Sequence, residues 1–508
     1  MKTRSFLPIS IEHLWGLVII AGIFIFVNTH PIRPHDFWWH IAAGREIART
    51  GHIPQVDAYS QTMRGTPYPA YQTFWLMEWT LYQLYHLGSA PLVIFFQSLL
   101  VTATYALILR LALRCSGGWR SAAFGTFFAA ALGINDWNVR PQTLAFFIAA
   151  LFLNAIHAYR SRPRAWLLLI FPVGMLLWVN SHGTFPLGLV LIGLWGAEET
   201  WNVLHTRRWQ ALRAPVIAAS AAALACLFNP RGIGIVHYVT AMTSNPVIQN
   251  LVVEWAAPTF DTLGGTLFLA GLLVSATILA LSPKRPTPSQ LLAFLGFGTL
   301  GLKTLRGVIW FGLVMGPVLA EHVRLIGESV NQPIGESENR RVSKSANQNQ
   351  KGGMTPYTLN SLLAGIVLLG ALLSLPWFKS WWPLPPEKAG VLSAETPVAA
   401  TEFLFQAHLP GPLFHDMAFG SYLIWAAQPQ YPVFIDPRIE LYPAELWLDY
   451  LRISTAAPGW EERLEAYQIR TLMLSPQAQS QLIAAAQQSD RWEEVYRDEA
   501  SVILTRTK

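Results

Sequence analysis

Long apolar runs recur along most of the chain, separated by short polar stretches, and stop near Pro385. A bilayer core about 30 Å thick takes roughly 20 apolar residues per helix, fewer where flanking side chains snorkel. Eleven segments fit: Leu14–Val27, Pro91–Leu113, Ala122–Ile134, Leu144–Ala158, Ala165–Val179, Phe185–Ala197, Pro215–Phe228, Leu263–Leu281, Leu291–Leu302, Gly307–Ala320 and Leu359–Pro376. The pattern predicts an α-helical polytopic membrane protein. The first run follows Lys2 and Arg4 and lacks a small-x-small cleavage site, so it reads as a retained signal anchor.

After Pro385 the period shortens. Pro412–Phe414, Val433–Ile435 and Thr471–Leu474 read as buried strands. Phe419–Ala427, Ala444–Ile453, Trp460–Tyr467 and Ala478–Gln488 have helical spacing, and Glu493–Arg497 with Ser501–Thr505 forms a closing hairpin. Strands alternating with helices predict a small C-terminal α/β domain. The expected organisation is a membrane body over residues 1–384 and an α/β domain over 385–508, the latter a separable module.

Two connections are long. Residues 30–90 hold an amphipathic run, with Trp38, Ile41, Gly44 and Ala48 near one face and Arg45, Glu46 and Arg49 on another, stopped by Gly51. Trp38 and Trp39 at its start suit the membrane interface. Phe74–Leu87 reads as a second interfacial helix whose one formal charge is Glu78. Residues 321–358 form a polar linker, and Glu336–Gly353 is too poor in apolar side chains to fold alone.

Composition agrees with lipid burial. The 508 residues are 52% hydrophobic and 13% charged, against about 25% charged in soluble domains. The net charge of +6 does not indicate nucleic acid, because the excess Lys and Arg concentrates in alternate short loops. Those loops carry Arg110, Arg114 and Arg120, then Arg160, Arg162 and Arg164, then Arg207, Arg208 and Arg213, then Lys284 and Arg285. The positive-inside bias makes them cytoplasmic. The N-terminus is then cytoplasmic, and the 30–90 loop and C-terminal domain are extracytoplasmic. Cys115 and Cys226 lie in separate apolar runs with no CxxC spacing, which argues against a disulfide framework or thiolate zinc site.

The candidate chemistry falls on the outer side. Asp36 precedes the amphipathic run, where an acid commonly caps a helix, but it also stands beside His35 and His40 as a carboxylate at the membrane surface. Asp136 and Arg140 lie in the short second outer loop, and His182 lies in the third. Arg231 and Glu254 belong to the fourth, Lys303 and Arg306 to the fifth. Ionisable groups at membrane depth are costly and tend to mark sites. Guanidinium and ammonium groups at a bundle mouth suit a lipid-linked phosphate. Asp36, Asp136 and His40 are the metal candidates, though no spacing among them secures a ligand set.

The words Asp36-Phe37-Trp38-Trp39-His40, Ala43-Gly44-Arg45, Gly51-His52-Ile53-Pro54, Asp57-Ala58-Tyr59-Ser60 and Trp75-Leu76-Met77-Glu78 resemble the first outer loop of bacterial multi-pass proteins of the GT-C glycosyltransferase superfamily. Arg140-Pro141-Gln142, Asn180-Ser181-His182-Gly183, Asn229-Pro230-Arg231-Gly232 and Phe434-Ile435-Asp436-Pro437-Arg438 are similar to further words of that group, which often has Gly where Pro437 stands. The resemblance implies transfer of a sugar from a polyprenyl-phosphate donor to a glycan, lipid or protein acceptor, on the outer face of a bacterial inner membrane. It implies catalytic roles for Asp36 and Asp136. Substrate-binding candidates are His40, Arg45, Asp57, Glu78, Arg140, His182, Arg231, Glu254, Lys303 and Arg306, and a divalent cation is left open as cofactor. A transporter or flippase, or an envelope assembly factor, is the alternative. Transport calls for ionisable sites deep within several spans, whereas these acids fall in outer loops.

The loop charges predict opposite sides for two reporters: one fused after Lys508 should be extracytoplasmic and one inserted near Ser345 cytoplasmic. Finding both on one side of the membrane would overturn the topology.

Overall fold

The computed structural model describes residues 9–245, 247, 249, 253–330, 356–381 and 384–507. Each of the eleven apolar segments falls on helix. The body runs α1 (Ile11–Thr29), α2 (Phe37–Thr50), α3 (Tyr71–Ser116), α4 (Trp119–Gly133), α5 (Thr143–Ser161), α6 (Ile170–Val179), α7 (Pro186–Thr206), α8 (Arg213–Ala225), α9 (Gly234–Ser244), α10 (Leu263–Leu281), α11 (Pro288–Lys303), α12 (Val308–Val330) and α13 (Pro356–Leu373). Among the described residues, five stretches are long and apolar enough to cross a bilayer: α1, α3, α5, α10 and Leu305–Val330. The other predicted spans are shorter or less apolar helices. Of the expected polar linker, residues 321–330 belong to α12, while Glu336–Gly353 lies outside the described residues.

Small residues let the central helices meet. A Cβ on Gly125 of α4 would stand 2.2 Å from the Gly316 carbonyl of α12, and one on Gly316 would stand 2.5 Å from the Gly125 carbonyl. Gly312, Gly316 and Ala320 thus form a small-residue stripe on which α4 lies backbone to backbone, the packing that replaces the hydrophobic drive within lipid. A second close approach seats α2 on α3, where a Cβ on Gly44 would be 2.1 Å from the Glu78 carbonyl. Gly51, at φ +73°, ends α2 in the left-handed conformation, as its position in the sequence predicts.

The two tryptophans of α2 are not lipid-facing anchors. Trp38 is 1% and Trp39 4% exposed, and Trp38 packs edge-on to Tyr422. The expected interfacial face is instead roofed by the C-terminal region. The second interfacial helix is the start of α3, which breaks at Gly88 and Ser89 before continuing through Pro91.

In the C-terminal region, β1 (Leu413–His415), β2 (Thr471–Leu474), β3 (Trp492–Arg497) and β4 (Val502–Arg506) form a sheet in the order β1-β2-β4-β3. β1 and β2 are parallel, and the other neighbours are antiparallel. The helices α14 (Val398–Gln406), α15 (Met417–Ala426), α16 (Ala444–Ser454), α17 (Trp460–Ala466) and α18 (Ser480–Gln488) pack around it; α14 is the one among them that periodicity did not indicate.

Val433–Ile435 is not a strand of this sheet. Val433 bridges in parallel to Ser60 of the 30–90 loop, donating to the Tyr59 carbonyl at 3.1 Å and accepting from Gln61 N–H at 2.9 Å. Its backbone groups pair with the first loop because that loop lies over them. The same happens at Ile32, which bridges to Leu392. At the centre of this contact Arg438, whose side chain is fully buried, pairs with Asp436 and with Asp57 at 2.6 Å each and donates to the Tyr71 hydroxyl at 2.7 Å. The C-terminal region therefore shares a buried ion cluster with the first loop, where the sequence suggested a separable module.

Arg438→Gln should leave two buried carboxylates without their counter-ion, at a cost of about 3–5 kcal/mol. A thermal melt of the full-length protein in detergent should show a clearly lowered transition, and an unchanged melt would deny Arg438 this role.

Candidate active site

Asp36 occupies the position before α2, but its side chain makes no capping bond. Its backbone is already helical there (φ −72°, ψ −30°), which turns the carboxylate away from the first-turn amides. It pairs with Arg140 instead, Oδ2 to Nε at 2.9 Å. Arg140 reaches on through Nη1 to Glu254 at 2.5 Å, and the second oxygen of Glu254 meets Arg306 at 2.6 Å. The order Asp36–Arg140–Glu254–Arg306 alternates sign and links the loops that precede α2, α5, α10 and α12. Burial works against the charge of Glu254, but Arg140 and Arg306 outweigh it and hold its carboxyl at about 2.

This chain of charges stands between two cavities. One, of about 320 Å³, is largely apolar, with Phe74, Leu187, Val239, Met242, Leu300 and Trp310 among its walls. The other, of about 560 Å³, is polar, with Arg33, His35, Asn135, Asp136, Asn138 and Thr262 in its lining. Asp36, Arg140 and Arg306 border both. So does Pro437 of the C-terminal region, and Glu440 closes the apolar cavity while accepting from the Tyr68 hydroxyl at 2.9 Å. Burial raises the carboxyl of Glu440 above its ordinary value.

Asp136 faces the polar cavity. Burial, and next the field of Glu254, push its carboxyl up to about 7, with Arg140 and Arg306 opposing. Two imidazoles face the apolar cavity. Burial drives both below their ordinary value, with His182 and Arg140 adding to the effect for His40, and Arg306 and Arg140 for His182, which falls to about 3. Neutral His182 takes the Thr184 N–H at Nδ1, at 3.3 Å, leaving its own proton on Nε2. His40 is held at Nδ1 by Glu78 Oε1 at 3.0 Å, and Glu78 Oε2 is buried without a hydrogen-bond partner among the described residues.

Of the residues singled out from the sequence, Asp36, His40, Asp136, Arg140, His182, Glu254 and Arg306 thus converge on the two cavities. Five do not. Asp57 is consumed by Arg438 and Ser60, because its loop packs under the C-terminal region. Arg45 lies over the Trp425 ring at 4.3 Å and donates to its carbonyl. Glu78 sits beneath the cavity as the anchor of His40. Arg231 is held by Gln72 at 3.0 Å, and Lys303 is exposed and lines neither cavity. Pro437 and Glu440 were not among the expected site residues; their one signal in the sequence is that Pro437 stands within the Phe434–Arg438 word and Glu440 two residues after it.

Among the described residues no three His, Cys, Asp or Glu side chains converge as ligands, and Asp36 is engaged by a guanidinium.

No family model matches the sequence, and no curated protein does. Among solved structures the chain is similar to the archaeal oligosaccharyltransferase AglB from Archaeoglobus fulgidus, in complex with an inhibitory peptide and a dolichol-phosphate. That alignment has 10% identity and a TM-score of 0.51, and covers 97% of this chain and 74% of that one. It is also similar to ArnT from Cupriavidus metallidurans bound to undecaprenyl phosphate, at 14% identity and a TM-score of 0.48, covering 96% and 97%. The first likeness shows a shared fold, the GT-C fold that the loop words implied.

The Asp136 carboxyl should lose its protonated C=O infrared band with a midpoint near pH 7 in protein carrying ¹³C-labelled aspartate, and the band should be absent in Asp136→Asn. Glu254→Gln removes a negative neighbour that raises this carboxyl, so the midpoint should move to lower pH. A midpoint unmoved by that change would disconnect Asp136 from the charge chain.

Proposed function

We propose that this chain is an inverting membrane glycosyltransferase that takes a sugar from a polyprenyl-phosphate carrier and passes it to a cell-envelope acceptor on the extracytoplasmic face of a bacterial inner membrane. The observation that carries the reading is the chain of alternating charges standing between an apolar and a polar cavity. A substrate with a hydrocarbon tail, a phosphate and a sugar needs that succession of environments. The dolichol-phosphate held by AglB, which has the same fold, supports the same assignment.

In this reading the polyprenyl chain enters the apolar cavity and its phosphate meets Arg306 and Arg140. Arg140 engages its carboxylates through Nε and Nη1, so Nη2 remains for a phosphate oxygen. The acceptor enters from the polar cavity. Its hydroxyl oxygen bonds to the anomeric carbon as the bond from that carbon to the phosphate oxygen breaks, the electron pair leaving with the phosphate. Asp36, bordering both cavities, takes the hydroxyl proton, and the two guanidiniums stabilise the charge that grows on the phosphate. Asp136 orients the acceptor, with a carboxyl poised to give or accept a hydrogen bond near neutral pH. His40 and His182, both neutral, line the donor side as uncharged partners for sugar hydroxyls. Glu254 holds the two guanidiniums apart and aligned. The C-terminal domain, residues 385–508, roofs the site through Pro437 and Glu440. A transporter would need ionisable groups along a path through the spans, whereas this charge chain is built from loop residues at one end of the bundle.

Asp36→Asn keeps shape and removes the proton acceptor, so sugar transfer from labelled polyprenyl-phosphate carriers to the envelope fraction should fall by about 100-fold or more. Carrier binding should persist. Wild-type rates in Asp36→Asn would dismiss it as the base.

A further inference from the structure

A third cavity lies at the far end of the bundle. Arg110 follows the α3 break at Gly88 and Ser89 by about 20 residues, or roughly 30 Å of helix, the thickness of a bilayer core. There Arg110 and Arg114 of α3, Arg162 and Arg164 after α5, and His157 surround about 440 Å³ of space, with Trp166 at the edge. Among the described residues no carboxylate lines it. Among the described residues none of these four arginines is in an ion pair, although Arg160 beside them is paired with Glu199 at 2.9 Å. Arg110 and Arg114 are one turn apart on the same helix face, where like charges repel. Four guanidiniums, all of them solvent-exposed, thus stand around one space without a carboxylate among the described residues, which leaves them open to a bound anion.

We propose that this cavity binds a phosphate-bearing anion, and specifically the headgroup of an anionic phospholipid in the leaflet opposite the sugar-transfer site. Phosphate matches the paired N–H groups of guanidinium better than a lysine would. The position argues for the lipid source over free phosphate. Trp166 is 57% and the nearby Leu169 63% exposed, an apolar flank for acyl chains beside a basic pocket between helices at the bilayer surface. This site is independent of the glycosyltransferase reading, since it shares no residue with it.

The test uses the full-length protein in nanodiscs of phosphatidylcholine with or without phosphatidylglycerol, and counts lipid retained on release by native mass spectrometry. Arg110→Gln with Arg164→Gln should lower phosphatidylglycerol retention about 10-fold or more, the loss of two guanidinium–phosphate contacts. Arg207→Gln with Arg208→Gln, at the same end of the bundle, should leave it unchanged. Equal loss in both double variants would mean general surface charge and overturn the site. Displacement of the lipid by inorganic phosphate at millimolar concentration would overturn the lipid assignment. A thermal melt in phosphatidylcholine alone, expected to match wild type for the first variant, separates lost binding from lost folding, and a collapsed melt would make these arginines structural.

Discussion

The buried guanidinium of Arg438 is the constraint on which the join between the 30–90 loop and the C-terminal region depends. A cation removed from water is tolerated only when counter-charges and hydrogen bonds surround it, and here they come from Asp436, Asp57 and the Tyr71 hydroxyl. Asp436 itself also accepts from the Tyr442 hydroxyl. The partners belong to the 30–90 loop, the start of α3 and the C-terminal region. None of those segments can shift without exposing or orphaning a charge. Their fixed relation places Pro437 and Glu440 against the cavities and lays the 30–90 loop beneath α15, where Ser421 accepts from the Trp39 N–H at 3.0 Å.

Below that plane the bundle is held differently. Lipid offers apolar side chains no reason to leave it, so close helix contact comes from shape. The glycines of α4 and α12 supply it at the centre, and Gly44 supplies it where α2 crosses α3. This tight packing on one side leaves room on the other, between α7, α9, α11 and α12, for the apolar cavity. The charge chain borders one side of it. Each charge in it has a neighbour of opposite sign, which lowers the cost of holding four partly buried ionised groups and keeps them oriented.

What was legible in the sequence follows from local physics. Hydropathic length located the eleven apolar segments on helices, because any such run must find an apolar surrounding whatever its partners. Period and turn residues located β2, the closing hairpin and most helices of the C-terminal region, and Gly51 marked the end of α2. Asp36, Asp136, Arg140, Glu254 and Arg306 stood out because ionisable residues flanking apolar runs are rare and costly.

Only the tertiary structure decided what those residues touch. Asp36 and Asp57 look alike in the sequence, two acids in one outer loop, yet one borders both cavities and the other is locked under Arg438, 381 positions away. Trp38 and Trp39 have the composition of interface anchors and are core, because a distant segment of the C-terminal region covers them. Val433–Ile435 has the pattern of a sheet strand and pairs with Ser60 instead. In each case local pattern determines that a group must be buried, paired or bonded, while the partner is selected by contacts between remote segments, to which periodicity is blind.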